Sequence, residues 1–111
     1  MQFIKDNDLY KVARITGPTH NLLIIRLSEN VCDTKITPLP IKEGQISKLQ
    51  CQEVLAQVLA GIDEINHELA SEYFVSEVQF LPSDSEPVSI YKYLVKVLVK
   101  RIDSNNEFLV L

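Results

Sequence analysis

Apolar residues recur at every third or fourth position between Gln45 and Ser71, and this spacing predicts a long amphipathic helix. Its apolar face comprises Cys51, Val54, Leu55, Val58, Leu59, Ile62, Ile65 and Leu69. Ser47 and Gln50 have the spacing of a capping box, which favours a helix start beside them. Gly61 costs a helix interior about 1 kcal/mol relative to alanine, and its presence fits a place where another element packs closely.

Three tracts rich in β-branched and aromatic residues predict β-strands. Leu9–Thr16 and Leu22–Leu27 flank a turn that contains glycine and proline, and together they predict an antiparallel hairpin. Tyr73–Leu81 predicts a further strand. Its apolar face consists of Phe74, Val78 and Phe80, and its polar face contains Glu77 and Gln79. Lys35–Ile41 contains two prolines that cannot donate to a ladder, so it predicts an edge strand or a loop. Phe108–Leu111 predicts a last strand.

The segment Val88–Ile102 fits two structures. Its lysines alternate with apolar residues as in a strand, but they also form one helical stripe at Lys92, Lys96 and Lys100. Ser85 as an N-cap and Pro87 in a first turn favour a helix, whereas the density of valine favours a strand. We prefer the helix. The pattern therefore predicts a single α+β domain over residues 1–111, with an antiparallel sheet of about four to five strands and two helices packed against it.

The net charge of −4 conceals an uneven distribution along the chain. Residues 45–86 contain eight carboxylates and one lysine, a net charge of −7, and both flanking segments are slightly basic. A surface of one sign attracts an oppositely charged partner and speeds association. We therefore expect a basic protein partner, and the acidity disfavours direct binding to nucleic acid.

Two acidic groups are candidates for such a docking face. In the first group, Glu64, Glu68 and Glu72 lie four residues apart on the predicted helix, with Asp63 beside them. The alternative is that this stripe pairs with the lysine stripe of the second helix, in contacts worth about 0–1 kcal/mol each.

The second acidic group lies in the turn after the last long strand and comprises Asp84 and Glu86. This turn is either a helix cap, which suits the helix dipole, or a protruding acidic loop that reaches a basic cleft.

Residue types that perform catalysis or bind metals are few. The chain has two cysteines and two histidines, which excludes a four-thiolate zinc site, and its three glycines form no phosphate-binding loop. A nucleophile pair of Cys32 and His20 is the enzymatic alternative. We expect no catalytic residue, no metal site and no cofactor.

The stretch Glu77–Ile102, EVQFLPSDSEPVSIYKYLVKVLVKRI, resembles a pattern of bacterial immunity proteins from contact-dependent growth-inhibition and related polymorphic-toxin systems. The pattern is a strand, a Pro-Ser-Asp turn and a helix-like tract that opens with Ile-Tyr. The resemblance implies a cytoplasmic protein that binds and neutralises one cognate toxin, often a basic nuclease, by covering the site of the phosphate backbone. It also implies that no catalytic residue is needed. Under this resemblance, the candidate aromatic anchors for the toxin are Tyr73, Tyr91 and Tyr93, with placement in the core as the alternative.

The expected function is therefore that of an immunity protein, with a non-catalytic adaptor or a homodimeric interaction module as the alternative. The longest aliphatic run is four residues, Leu22–Ile25, whereas a membrane span needs about 20. Charged residues among the first ten do not fit a signal peptide. We expect a cytoplasmic protein without a membrane partner.

Overall fold

The computed structural model describes residues 1–16, 19–85 and 89–111, which form one mixed sheet covered by two helices. The elements are β1 (Gln2–Asp6), β2 (Leu9–Thr16), β3 (Thr19–Ser28), β4 (Lys35–Pro38), α1 (Cys51–Leu69), β5 (Phe74–Phe80), α2 (Ile90–Asp103) and β6 (Leu109–Val110). The strand order is β4-β5-β3-β2-β1-β6. Helix α1 packs on β4 and β5, and α2 packs on β2 and β3. The predicted α+β class is confirmed.

The sheet is not purely antiparallel as predicted, because both edge strands run parallel to their neighbours. β4 and β5 are joined through α1, and a helical crossover of this kind returns the chain in the same direction. β6 follows α2 and pairs with β1, where Leu109 lies opposite Ile4. β1 itself was not predicted as a strand, and it brings the sheet to six strands.

An extra residue in β5 changes which side chains reach the core. The register against β3 skips Ser76, so the strand contains a bulge there. Residues before a bulge are shifted to the other face. Val75 is therefore buried together with Val78 and Phe80, whereas Phe74, predicted on that face, is only half-buried.

The preferred helix over Val88–Ile102 is confirmed from Ile90 onward, and the strand alternative is wrong. The predicted N-cap is also wrong, because Ser89 precedes the helix and its side chain forms no capping hydrogen bond. Ser85 Oγ instead accepts a hydrogen bond from the backbone N–H of a residue in β3. Pro87 lies outside the described residues.

Helix α1 is shorter than the predicted Gln45–Ser71. It begins at Cys51, and the N-cap residue Gln50 makes no side-chain capping bond, so the expected capping box with Ser47 is absent. The backbone N–H groups of Lys48 and the next residue both donate to the carbonyl of Pro82, which ties this approach segment to the loop after β5.

Helices α1 and α2 run parallel and approach closely at Gly61. Gln57, early in α1, accepts a hydrogen bond from the backbone N–H of Tyr91, at the start of α2. A Cβ on Gly61 would lie 2.3 Å from Val95 Cγ1 and 2.8 Å from the carbonyl oxygen of Lys92. The glycine is therefore explained by the helix contact, and both helices end at the same end of the sheet.

Neither helix of the described ranges combines the length and the apolar character that crossing a bilayer requires.

Candidate interaction site

A cleft of about 530 Å³ opens at the end of the molecule where α1 and α2 terminate. The β1–β2 turn, the end of β3, the segment after α1 and the last turn of α2 form its walls. Its lining residues are Lys5, Asn7, Asp8, Tyr10, Leu27, Ser28, Glu29, Glu72, Tyr73 and Ile102. We call this feature the acidic cleft.

The charges around the acidic cleft are predominantly negative. Glu29 and Glu72 are exposed, and neither forms an ion pair with any residue that the structure describes. Asp8 is paired with Arg26 at 2.8 Å, and Lys5 is the cationic residue of the lining. The last carbonyl groups of two parallel helices add partial negative charge, which favours a cation at this end.

Two tyrosine rings give the acidic cleft an aromatic surface. Lys5 Nζ lies 5.6 Å from the centre of the Tyr10 ring, within the range of a cation–π contact. Tyr73 donates its hydroxyl hydrogen bond to Asp103 Oδ1 at 2.8 Å. Burial of the ring, and then this bond to a carboxylate, raise the pKa of Tyr73. The cleft therefore presents both carboxylates and ring faces to an incoming cation.

The side chain of Asn66 fixes the position of Tyr73. Its amide accepts from the Tyr73 N–H and donates to the Tyr73 carbonyl, each at 2.9 Å. Helix α1 ends at Leu69, and the left-handed backbone of the C-cap residue Ala70 (φ 51°) turns the chain toward β5. The aromatic wall is thus anchored by the last turn of α1, although the sequence contains no glycine at this turn.

The acidic stripe of α1 divides into two parts. Glu64 contacts Lys92 and Lys96, and Glu68 lies 2.9 Å from Lys96 Nζ. The hydrogen bond from Lys92 lowers the pKa of Glu64, and the hydrogen bond to Glu68 raises the pKa of Lys96. The alternative of helix–helix pairing is confirmed for these two carboxylates, whereas Asp63 is exposed on the outer side of α1.

Asp84 does not protrude, because its residue exposure is 0%. Its Oδ2 accepts a 2.7 Å hydrogen bond from the Leu22 N–H, and His20 Nε2 lies 3.3 Å from its Oδ1. Burial raises the pKa of Asp84, while the Leu22 N–H and His20 act in the opposite direction. The residue thus holds the loop after β5 against β3. Glu86, the other acid of this predicted loop, lies outside the described residues.

Tyr91 is a core residue, with 1% exposure, and its hydroxyl accepts a 3.2 Å hydrogen bond from Asn21 Nδ2. The same amide donates to the Ser85 carbonyl at 2.9 Å. Burial raises the pKa of Tyr91 to about 12. The core alternative is confirmed for this tyrosine. With Asp84, it belongs to a buried polar cluster at the end opposite the acidic cleft.

The structure does not bring Cys32 and His20 together. His20 lies at the start of β3, and Cys32 follows the far end of that strand, where its Sγ is 3.8 Å from the Val75 carbonyl oxygen. Within residues 1–16, 19–85 and 89–111, no three His, Cys, Asp or Glu side chains are placed to hold a metal ion.

Sequence reasoning missed the part of the acidic cleft that comes from the first 30 residues, which supply seven of its ten lining residues. Tyr10, Asp8 and Glu29 lie outside the acidic segment 45–86 and join it only through sheet pairing. One local signal was present, since Asp8 directly precedes the predicted strand Leu9–Thr16 and Glu29 lies in the turn after the predicted strand Leu22–Leu27.

Known protein families, curated proteins and solved structures were compared with the chain, and none of them matches it. The candidate site is therefore defined by its geometry.

Proposed function

We propose that this chain is an immunity protein that binds a basic toxin domain, in particular a nuclease, through the acidic cleft and thereby neutralises it. The observation that carries the proposal is the coincidence, in one cleft, of two exposed unpaired carboxylates, two tyrosine rings and the ends of two helices. Each of these features favours a lysine or arginine side chain over a neutral or acidic one.

A cationic side chain of the partner would be stabilised most where several of these features contact it together. Glu29 and Glu72 supply the charge, and Tyr73 supplies a ring that Asn66 holds in place. The contact of Lys5 with Tyr10 is an internal example of the same interaction. Truncation of one partner in a buried, hydrogen-bonded charge pair at an interface typically costs 2–5 kcal/mol, enough to dominate an affinity.

Neutralisation by this route requires no chemistry from the inhibitor. A nuclease holds the phosphate backbone with basic side chains, and carboxylates that occupy those side chains exclude the substrate. The acidic cleft would therefore act as a competitor of phosphate. The cytoplasm, where such a toxin would meet its nucleic acid, is the location that this proposal implies.

The proposal requires a large toxin gene directly upstream, and its absence would contradict the proposal. The test is coexpression with the C-terminal domain that such a gene encodes, followed by measurement of growth, copurification and nuclease activity. We expect the wild-type chain to protect cells and to copurify with the toxin. The double variant Glu29→Lys/Glu72→Lys should weaken binding at least about 30-fold, the equivalent of about 2 kcal/mol.

Asp63→Lys is the matched control, because it reverses an exposed carboxylate of α1 away from the acidic cleft. It should bind as the wild type does. If Asp63→Lys abolishes binding and the double variant does not, the docking face is the outer side of α1. Binding without loss of nuclease activity would instead favour the adaptor function.

A further inference from the structure

We propose that β6 is a pairing edge through which two copies of this chain associate, with their β6 strands antiparallel across a twofold axis. β6 is the last strand of the sheet, so it has a neighbour on one side. Leu111 N–H donates to the Lys5 carbonyl at 2.9 Å, which directs the backbone groups of this residue toward β1. Because successive residues of a strand point their backbone groups in opposite directions, the N–H and C=O of Val110 point away from the sheet.

The opposite edge of the sheet is closed to such pairing. Leu39 N–H donates to the Phe80 carbonyl at 2.8 Å, so odd-numbered residues of β4 and its extension point toward β5. The outward positions then include Pro38 and Pro40, which have no N–H to offer. Lysine and proline on an edge are recognised devices against strand addition, and β4 also begins with the exposed Lys35.

The β6 edge has none of these protections. The segment Phe108–Leu111 contains no charge, no proline and no glycine. Leu109, Val110 and Leu111 are 65%, 69% and 69% exposed. Phe108 packs its ring edge-on against Phe3 and Tyr10. The strand is therefore anchored from within, while its outer edge remains available.

The chemistry of the edge selects a second copy as its occupant. β6 has no charged side chain, so it offers no electrostatic attraction to the basic partner of the acidic cleft. The strand is complementary to itself, because twofold antiparallel pairing places each outward backbone donor opposite an acceptor. Leu109 lies beside Ile4 on the open face of the sheet, so the same pairing extends this apolar row across the axis. With only two residues in β6, the contact area is small and we expect weak, concentration-dependent association.

The experiment is sedimentation velocity over roughly a hundredfold range of concentration, together with amide hydrogen exchange of the full chain. The wild-type sedimentation coefficient should rise from the monomer value toward that of a dimer. Val110→Lys should stay at the monomer value. The matched control is Ile46→Lys, because Ile46 is 74% exposed but lies between β4 and α1, outside the sheet, and this variant should associate as the wild type does.

Hydrogen exchange of wild-type Val110 decides the interpretation even if a variant fails to fold. Its outward N–H should exchange more slowly as the concentration rises, because pairing gives it an acceptor. A chain that is monomeric throughout the range overturns the proposal. Association that leaves the exchange of Val110 unchanged, or that Ile46→Lys abolishes while Val110→Lys does not, places the contact elsewhere and overturns it too.

Discussion

The two ends of the α1–α2 pair use carboxylates in opposite ways. At the end where the helices terminate, Glu29 and Glu72 are exposed beside an open cleft. At the other end, Asp84 is completely buried and accepts a hydrogen bond from the Leu22 N–H. All three are acids next to turns in the sequence. What separates their roles is the environment that the fold gives them: Asp84 contributes to stability, and the exposed pair is free to meet a partner.

The carboxylates at the open end also lower the stability of the folded chain. Acidic side chains near helix C-termini face the partial negative charge of the last carbonyl groups, so each is slightly unfavourable for folding. Residues kept at such a cost are typical of functional sites, where activity and stability conflict. Substitutions at the two ends should therefore separate into those that unfold the protein and those that leave it folded.

The largest expected effect is that of Asp84→Ala. The substitution leaves the part-buried Leu22 N–H without its acceptor, and we expect a loss of about 1–3 kcal/mol in the free energy of unfolding. Glu72→Ala, at the open end, should change it by no more than about 0.5 kcal/mol. Urea denaturation of both variants measures the difference. Equal losses of unfolding free energy in Asp84→Ala and Glu72→Ala would contradict the distinction between a buried structural carboxylate and an exposed one.

Gly61→Ala tests the helix contact that connects the two ends. A methyl group would meet Val95 and the Lys92 carbonyl at distances too short for packing, and overpacking typically costs 1–3 kcal/mol. Alanine recovers about 1 kcal/mol of helix propensity, so we expect a net loss of at most about 2 kcal/mol. Val95→Ala in the same chain should relieve part of this loss, as a double-mutant cycle by urea denaturation would detect. Simple additivity of the two changes would contradict a close contact at this position.

The sequence was informative where local periodicity decides structure, and less so where distant segments meet. The spacing of apolar residues correctly predicted a helix at α1. The preferred helix over Val88–Ile102 is also present from Ile90, although its spacing fitted a strand as well and the expected cap at Ser85 is absent. The parallel pairing of β6 with β1 was not predicted, because it joins opposite ends of the chain and leaves no local pattern.

The site shows the same limit. Charge counting directed attention to residues 45–86, and of the candidate residues there Glu72 and Tyr73 line the cleft. It did not reveal that Asp84 is buried, since nothing local distinguishes a turn carboxylate that caps a strand N–H from one that faces water. Nor did it include Glu29, which reaches the cleft through the pairing of β3 with β5.

A smaller effect is expected when a hydroxyl group is removed from the tyrosine at each end. Tyr91→Phe leaves a buried amide of Asn21 short of one acceptor, and we expect a loss of about 1 kcal/mol. Tyr73→Phe removes an exposed bond to Asp103 and should cost less than about 0.5 kcal/mol. Thermal unfolding of the two variants compares them directly. A larger loss for Tyr73→Phe would show that the cleft tyrosine is structural, which would weaken its assignment as a binding residue.

The smallest effect expected is a difference in how stability depends on pH. Burial raises the pKa of folded Asp84 above its ordinary value of 3.8, so the folded chain holds this proton more tightly than the unfolded chain does. The resulting stabilisation is present below the ordinary value and is lost as pH rises through the raised folded pKa. Relative to Asp84→Asn, which keeps an oxygen as a hydrogen-bond acceptor but does not titrate, the wild type should become less stable across that window.

Glu64 should show the opposite sign, because its contacts with Lys92 and Lys96 lower its folded pKa below 4.5. Its contribution is present above the ordinary value and is lost as pH falls through the folded pKa. Relative to Glu64→Gln, the wild type should therefore lose stability on acidification. Urea unfolding of the three chains from acidic to neutral pH measures both slopes. If the stability differences from Asp84→Asn and from Glu64→Gln change with pH in the same direction, burial does not control the pKa of Asp84. The contrast between buried and exposed carboxylates would then be wrong.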